Sequence, residues 1–207
     1  MPISLWLSLL GASVVISFTP GAGAINTMTN AINEGFRRSV WGILGQQAAL
    51  LIHVAIVAAG VGLLIANSPT AFNVVRYAGA AYLIYLGVKS ILAKPVSEET
   101  ALDIRKNEPA GSMFRRGVWV NLLNPKAIVF FLAFTPQFIR PDQPLLPQYL
   151  IYIGTIVLVD IIVMWFFFAA AAKSFRRFTR TARGQRIMNN TFGVLFILVA
   201  ILLIFMH

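Results

Sequence analysis

Three ionisable side chains occupy stretches that otherwise look built for lipid. Asp160 stands in Leu158-Val159-Asp160-Ile161-Ile162, His53 follows Leu50-Leu51-Ile52, and Lys126 comes directly after Asn124-Pro125. A charge at bilayer depth costs at least a few kcal/mol, which makes each a candidate for function. Asp160 reads either as a carboxylate that titrates or counters a substrate amine, or as half of a structural ion pair with Lys126. Lys126 either snorkels to an interface or binds a substrate carboxylate or Asp160. His53 titrates near neutral pH, which suits a proton relay. Its other reading is a neutral ring bonded to a neighbouring backbone group. Amides join the set: Gln46, Gln47, Asn121, Asn124 and the series Asn26, Asn30, Asn33. Spacings of four and three put that series on one helical face. The face is too polar for lipid and is expected to line a cavity, Asn26 foremost, with interhelical hydrogen bonding as the plainer alternative.

Two interruptions must position these groups. Phe18-Thr19-Pro20-Gly21-Ala22-Gly23 and Asn124-Pro125-Lys126 each place a helix breaker inside a long apolar stretch. Proline removes a backbone donor and clashes with the preceding turn, while glycine loosens what remains. In lipid the freed groups need partners, so a broken helix persists only against protein or around a water-filled cavity. A helix restarting after Pro20-Gly21 offers unpaired N–H groups and a positive dipole end to a carboxylate. Carbonyls ending the preceding half-helix suit an ammonium, so both ends together suit a zwitterion. The expected substrate-binding residues are Pro20, Gly21, Gly23, Asn26, Gln46, Asn121, Asn124, Pro125 and Lys126, with Asp160 and His53 carrying proton coupling.

The rest of the chain fits an all-α integral membrane protein. Of 207 residues, 58% are hydrophobic and 12% charged, and the mean hydropathy is +0.77. Six membrane segments are expected, at about 3–34, 40–66, 72–93, 114–139, 146–172 and 187–206. The first and fourth are too long for one straight crossing of a ~30 Å core at ~1.5 Å per residue. Those two are also the broken ones, which points to two inverted three-helix repeats, 1–93 and 114–207, joined by a solvated linker, 94–113. Tyr77-Ala78-Gly79 and Thr191-Phe192-Gly193 are a further expected correspondence. Mid-segment counting brings Thr19-Pro20, His53, Lys126-Ala127 and Asp160 to one depth.

Arginines and lysines crowd the connections after segments one, three and five, for instance Arg37, Arg38, Arg115, Arg116, Arg176 and Arg177. By the positive-inside rule that side is cytoplasmic, which puts both termini outside. The net charge of +10 thus reads as anchoring among anionic head groups, and no nucleic-acid partner is expected. Met1-Pro2-Ile3-Ser4-Leu5 has no basic region ahead of it, so no removed signal peptide is expected. Outer residues 140–148, with Pro141, Pro144 and Pro147, form a short stiff loop. With no cysteine and two histidines, neither metal nor cofactor is expected. A membrane-embedded enzyme using His53 and Asp160 is disfavoured because no nucleophile accompanies them. A non-coupled channel or scaffold is the remaining alternative. Gly42, Gly45, Gly79 and Gly87 permit close packing within a subunit or in a homo-oligomer.

Thr19-Pro20-Gly21-Ala22-Gly23, Gly35-Phe36-Arg37-Arg38, Ala78-Gly79-Ala80-Ala81-Tyr82 and Asn121-Leu122-Leu123-Asn124-Pro125-Lys126 together resemble the lysine exporter (LysE/RhtB) family. Gly23 to Thr29, Ile52-His53, Phe134 to Ile139 and Val159 to Met164 look closest to its homoserine/homoserine lactone exporter branch. Ala22 stands where family members often have a proline. The resemblance implies a bacterial inner-membrane exporter of amino acids or derivatives, driven by the proton-motive force. Its partners would be a small zwitterionic substrate, protons and the lipid bilayer.

Overall fold

The computed structural model describes residues 1–19, 21–61, 68–93, 107–140, 142–179 and 181–205. Among them the protein is helical, with no strand. Helices α1 (Ile3–Phe18) and α2 (Ala22–Asn33) come first, then α3 (Val40–Ile56), which runs into a π-helical turn, Val57–Val61. Next are α4 (Pro69–Ile91), α5 (Ala110–Leu122) and α6 (Pro125–Phe138). Helix α7 (Leu145–Ile162) passes through a second π-helical turn (Val163–Ala169) into α8 (Ala170–Thr179), and α9 (Ala182–Phe205) closes the chain. Most of the expected linker, 94–106, lies outside the described residues, as does Pro20.

Both over-long segments are bent where the sequence breaks them. The axes of α1 and α2 meet at 57°, and those of α5 and α6 at 64°. Asn124 is the N-cap of α6: its side chain accepts from the Lys126 N–H, with Pro125 at the first helical position, where a missing donor costs nothing. Gly21 takes the same place at α2, and no side chain caps it. The outer loop is shorter than expected, because α7 already starts at Leu145. Gln148, two per cent exposed, ties this loop by accepting from the Arg140 N–H at 2.8 Å and donating to the Arg140 carbonyl at 3.0 Å.

Three helix pairs make the bundle. Helix α1 lies on α7, where the Trp6 indole donates to Thr155 Oγ1 at 3.1 Å. Helix α3 lies on α5 and α4 on α9. The last two are backbone-to-backbone crossings over glycine. A methyl on Gly45 would sit 2.0 Å from the Phe114 carbonyl oxygen, and one on Gly117 2.1 Å from that of Gly42. Gly87 and Gly193 face each other, each blocked by the other's carbonyl at 2.7 and 2.6 Å. Val57 and Val163, which open the two π-helical turns, are 106 positions apart, as are Gly87 and Gly193.

The bundle buries a set of polar side chains within its apolar core and is apolar outside. Asn30, Thr27, Gln46, Gln47 and His53 are buried, while Ile52, Ile56, Leu150, Leu158, Phe166 and Leu198 are exposed. Such an exterior suits lipid. Among the described residues three helices, Val40–Ala59, Leu145–Ser174 and Ala182–Ile201, are long and apolar enough to cross a bilayer, and up to five spans result if each bent pair counts as one. The protein is a multi-pass membrane protein.

The glycine crossings predict a stability contrast. Gly45→Ala and Gly117→Ala should each lower stability by about 1–3 kcal/mol through overpacking, read as an earlier unfolding midpoint in nanodiscs. Gly11→Ala, with nothing within 4 Å of the added methyl, should be neutral or stabilising, since alanine favours helix by ~1 kcal/mol.

Candidate functional site

The two breaks meet. A Cβ on Gly21 would lie 3.6 Å from Asn124 Nδ2 and from the Lys126 stem, so the start of α2 faces the start of α6. Between them is a cavity of about 60 Å³, room for a few waters and well below the roughly 300–1,000 Å³ of ordinary ligand pockets. Its walls come from six helices and follow helical spacing. Ser13, Ile16 and Ser17 project from α1, Gln46 and Leu50 from α3, Lys126, Ala127, Phe130 and Phe131 from α6, and Ile156 and Asp160 from α7. Gly21, Gly23 and Ala24 close it at the start of α2, and Asn121, Asn124 and Met164 complete the lining.

Asp160 is held by two helices other than its own. Ser17 Oγ donates to Oδ1 at 3.0 Å, and Gln47 Nε2 donates to Oδ2 at 2.6 Å. A carboxylate with one donor on each oxygen is fixed in orientation yet keeps lone pairs for a cation.

Lys126 resolves an alternative that the sequence left open. Its Nζ donates to the carbonyl of Ile16 at 3.0 Å and to that of Thr19. No nitrogen–oxygen pair within 4 Å joins it to Asp160 among the described residues, so of the alternatives left open the ion pair is not formed. The reason is the break itself. The last carbonyls of α1 have no N–H four residues ahead, and a lysine at a helix C-terminus satisfies such groups while countering the dipole. The ammonium position foreseen at the end of the first half-helix is therefore filled, and by the protein's own side chain. Lys126 and Asp160 still line the same cavity.

The remaining expected residues divide. Gly21, Gly23, Gln46, Asn121 and Asn124 line the cavity. Gln46 Nε2 clasps α2 through the Gly23 carbonyl at 3.2 Å and Thr27 Oγ1 at 3.0 Å, and Asn121 Nδ2 holds the Gln46 carbonyl at 3.0 Å. Pro125 opens α6, and Pro20 lies outside the described residues. Two residues fall elsewhere. Asn26 Oδ1 accepts from Arg116 Nε at 3.1 Å, and Asn30 Oδ1 accepts from the same guanidinium, so the asparagine face packs on α5 and does not line the cavity. His53 stands behind the lining: Nε2 lies 3.3 Å from the Asn121 carbonyl, to which its Nε2–H tautomer donates, and the ring stacks on Phe131.

The sequence reading passed over three residues. Ser13 and Ser17 were hidden by their small size, although a spacing of four in an apolar helix marks one polar edge. Arg116 read as a membrane anchor. It instead ties α2 to α5 and pairs with Glu108 at 2.7 Å; the Glu108 N–H donates to Glu34 Oε1 at 2.9 Å.

This geometry makes Lys126 the cap of α1. Lys126→Met should lower stability by about 1–3 kcal/mol, the cost of leaving the Thr19 carbonyl without its donor, with equilibrium unfolding as the readout; the Ile16 carbonyl keeps the Thr19 N–H at 3.2 Å. Lys126→Arg, which keeps donors, should recover part of the loss.

The sequence profile of the LysE type translocator family matches residues 14–207. The chain is 41% identical over 203 residues to the homoserine/homoserine lactone efflux protein of Salmonella typhimurium, covering 98% of this chain and 97% of that one. It is 37% identical over 196 residues to an uncharacterized membrane protein of Vibrio cholerae, at 95% and 94% coverage. It is also 34% identical over 142 residues to the leucine efflux protein of Salmonella choleraesuis, at 69% and 66% coverage. No solved structure matches. A profile that runs from residue 14 to the last residue, together with near full-length relatives, places the chain in the LysE type translocator family: it is a membrane transporter and not an enzyme.

Proposed function

We propose that the protein is a secondary active exporter of small amino acids or their derivatives, homoserine and homoserine lactone foremost, working by alternating access. One observation carries this reading. A carboxylate, Asp160, is oriented by Ser17 and Gln47 in a small cavity between two interrupted helices. The substrate's amine binds Asp160. Its carboxylate, where it has one, turns to the uncapped N–H groups of α2 at Gly21 and Gly23 and to the Lys126 ammonium. A lactone lacks that carboxylate and relies on the amine contact.

Alternating access is supported by the way the halves pair. The proposed six spans are α1–α2, α3, α4, α5–α6, α7–α8 and α9. The first half of span one packs on span five, and the first half of span four on span two. Exchanging the repeats 1–93 and 114–207 maps one contact onto the other and returns the third, between spans three and six, to itself. The two π-helical turns at a spacing of 106 fit the same operation. The basic connections then face the cytoplasm of a bacterial inner membrane, with both termini outside and residues 94–113 as the link between halves.

Proton coupling falls to Asp160, which takes up a proton as the substrate amine leaves, with His53 as a supporting group one layer back. Export of labelled homoserine from loaded proteoliposomes tests this. Export should accelerate with an imposed pH gradient, and Asp160→Asn should lose the gradient-driven component by at least about tenfold, ~1.4 kcal/mol of barrier. Full activity in Asp160→Asn, or indifference to the gradient, would overturn the coupling. His53→Gln should slow export less than Asp160→Asn, because His53 does not line the cavity.

A further inference from the structure

Ser13 is a buried hydroxyl without a partner. It is one per cent exposed, it lines the cavity, and its Oγ has no hydrogen-bond partner among the described residues. A serine or threonine inside a helix can rest its hydroxyl on the carbonyl four residues back or reach a neighbouring group. Ser8 and Thr155 do the first, on Ser4 at 3.1 Å and Ile151 at 2.7 Å, and Ser17 and Thr135 the second, at Asp160 and Tyr152. Ser13 does neither. A buried polar group left so is costly unless something else completes it, and apolar Ile16, Leu50, Phe130 and Ile156 share its cavity.

Its position sets what could complete it. Ser17, one turn along α1, holds Asp160. Four residues at 1.5 Å each put Ser13 about 6 Å further along the helix axis. Along the side chain, the hydroxyl of homoserine lies four bonds from the amine, about 5 Å when extended. A ligand with its amine on Asp160 therefore carries that oxygen to the level of Ser13. An amino acid with a methyl at the same place reaches Ser13 but gives it nothing to bond.

We infer that Ser13 is a specificity-determining residue, whose hydroxyl reads a side-chain oxygen four bonds from the substrate's amine. The inference rests on the proposed export of small amino acids with the amine at Asp160.

Norvaline is the probe, since it replaces the homoserine hydroxyl with a methyl of similar size. Proteoliposomes loaded with both, each carrying a different label, report the ratio of their export rates. Ser13→Ala should reduce the homoserine preference by about tenfold, one neutral hydrogen bond of ~1.4 kcal/mol. Ser17→Ala, which acts through Asp160, should slow both substrates together and leave the ratio near that of the unmodified protein. An unchanged ratio in Ser13→Ala, or an equal loss of both rates, would overturn the assignment and leave the export reading standing. Failure of the unmodified protein to export either compound would overturn the export reading and this inference with it. Ser13 gives up no hydrogen bond on substitution and alanine favours helix, so the variant is expected to fold.

Discussion

The structure turns on a requirement of the bilayer: a helix interrupted at membrane depth leaves carbonyls that water cannot reach. At the end of α1 those of Ile16 and Thr19 are met by the ammonium of Lys126. The second break thereby satisfies the first. Asn124 caps α6 from within its own segment, so one short motif serves two helix ends at once. Everything placed at this level, the start of α2, the cavity and Asp160, depends on that mutual arrangement.

Charge balance follows from the same contact. Lys126 sits on neutral carbonyls, so its positive charge is not cancelled there, while Asp160 receives two neutral donors from Ser17 and Gln47. The site thus holds opposite charges side by side without consuming them on each other. An ion pair closed at contact distance would have been held tightly in the low dielectric and little available to a ligand. Polar scaffolding keeps each group oriented.

Much of this was legible in the residues. Segments too long for a crossing, each with an internal proline, foretold the bends, and Asp160 in an apolar run required polar partners, which Ser17 and Gln47 supply. What escaped depended on partners that a one-dimensional pattern does not display. Lys126 was weighed against charged or interfacial partners, yet its acceptors are backbone carbonyls, which carry no letter. Asn26 and Asn30 were read as a cavity face because nothing in Arg115-Arg116 says which arginine a crossing at Gly42, Gly45 and Gly117 will turn inward. His53 adopts the geometry of its plainer reading, a ring on a neighbouring backbone carbonyl. Ser13 and Ser17 could have been found, since the interval of four in α1 was there to be noticed.

Thr19 and Lys126 are 107 residues apart in the chain. At about 5–20 residues per second, a ribosome needs on the order of 5–20 s to make the second after the first. For that interval the first segment has no Lys126, and its interrupted end must rely on water, head groups or the insertion machinery. The contact that completes the end of α1 therefore forms only once α6 has been made.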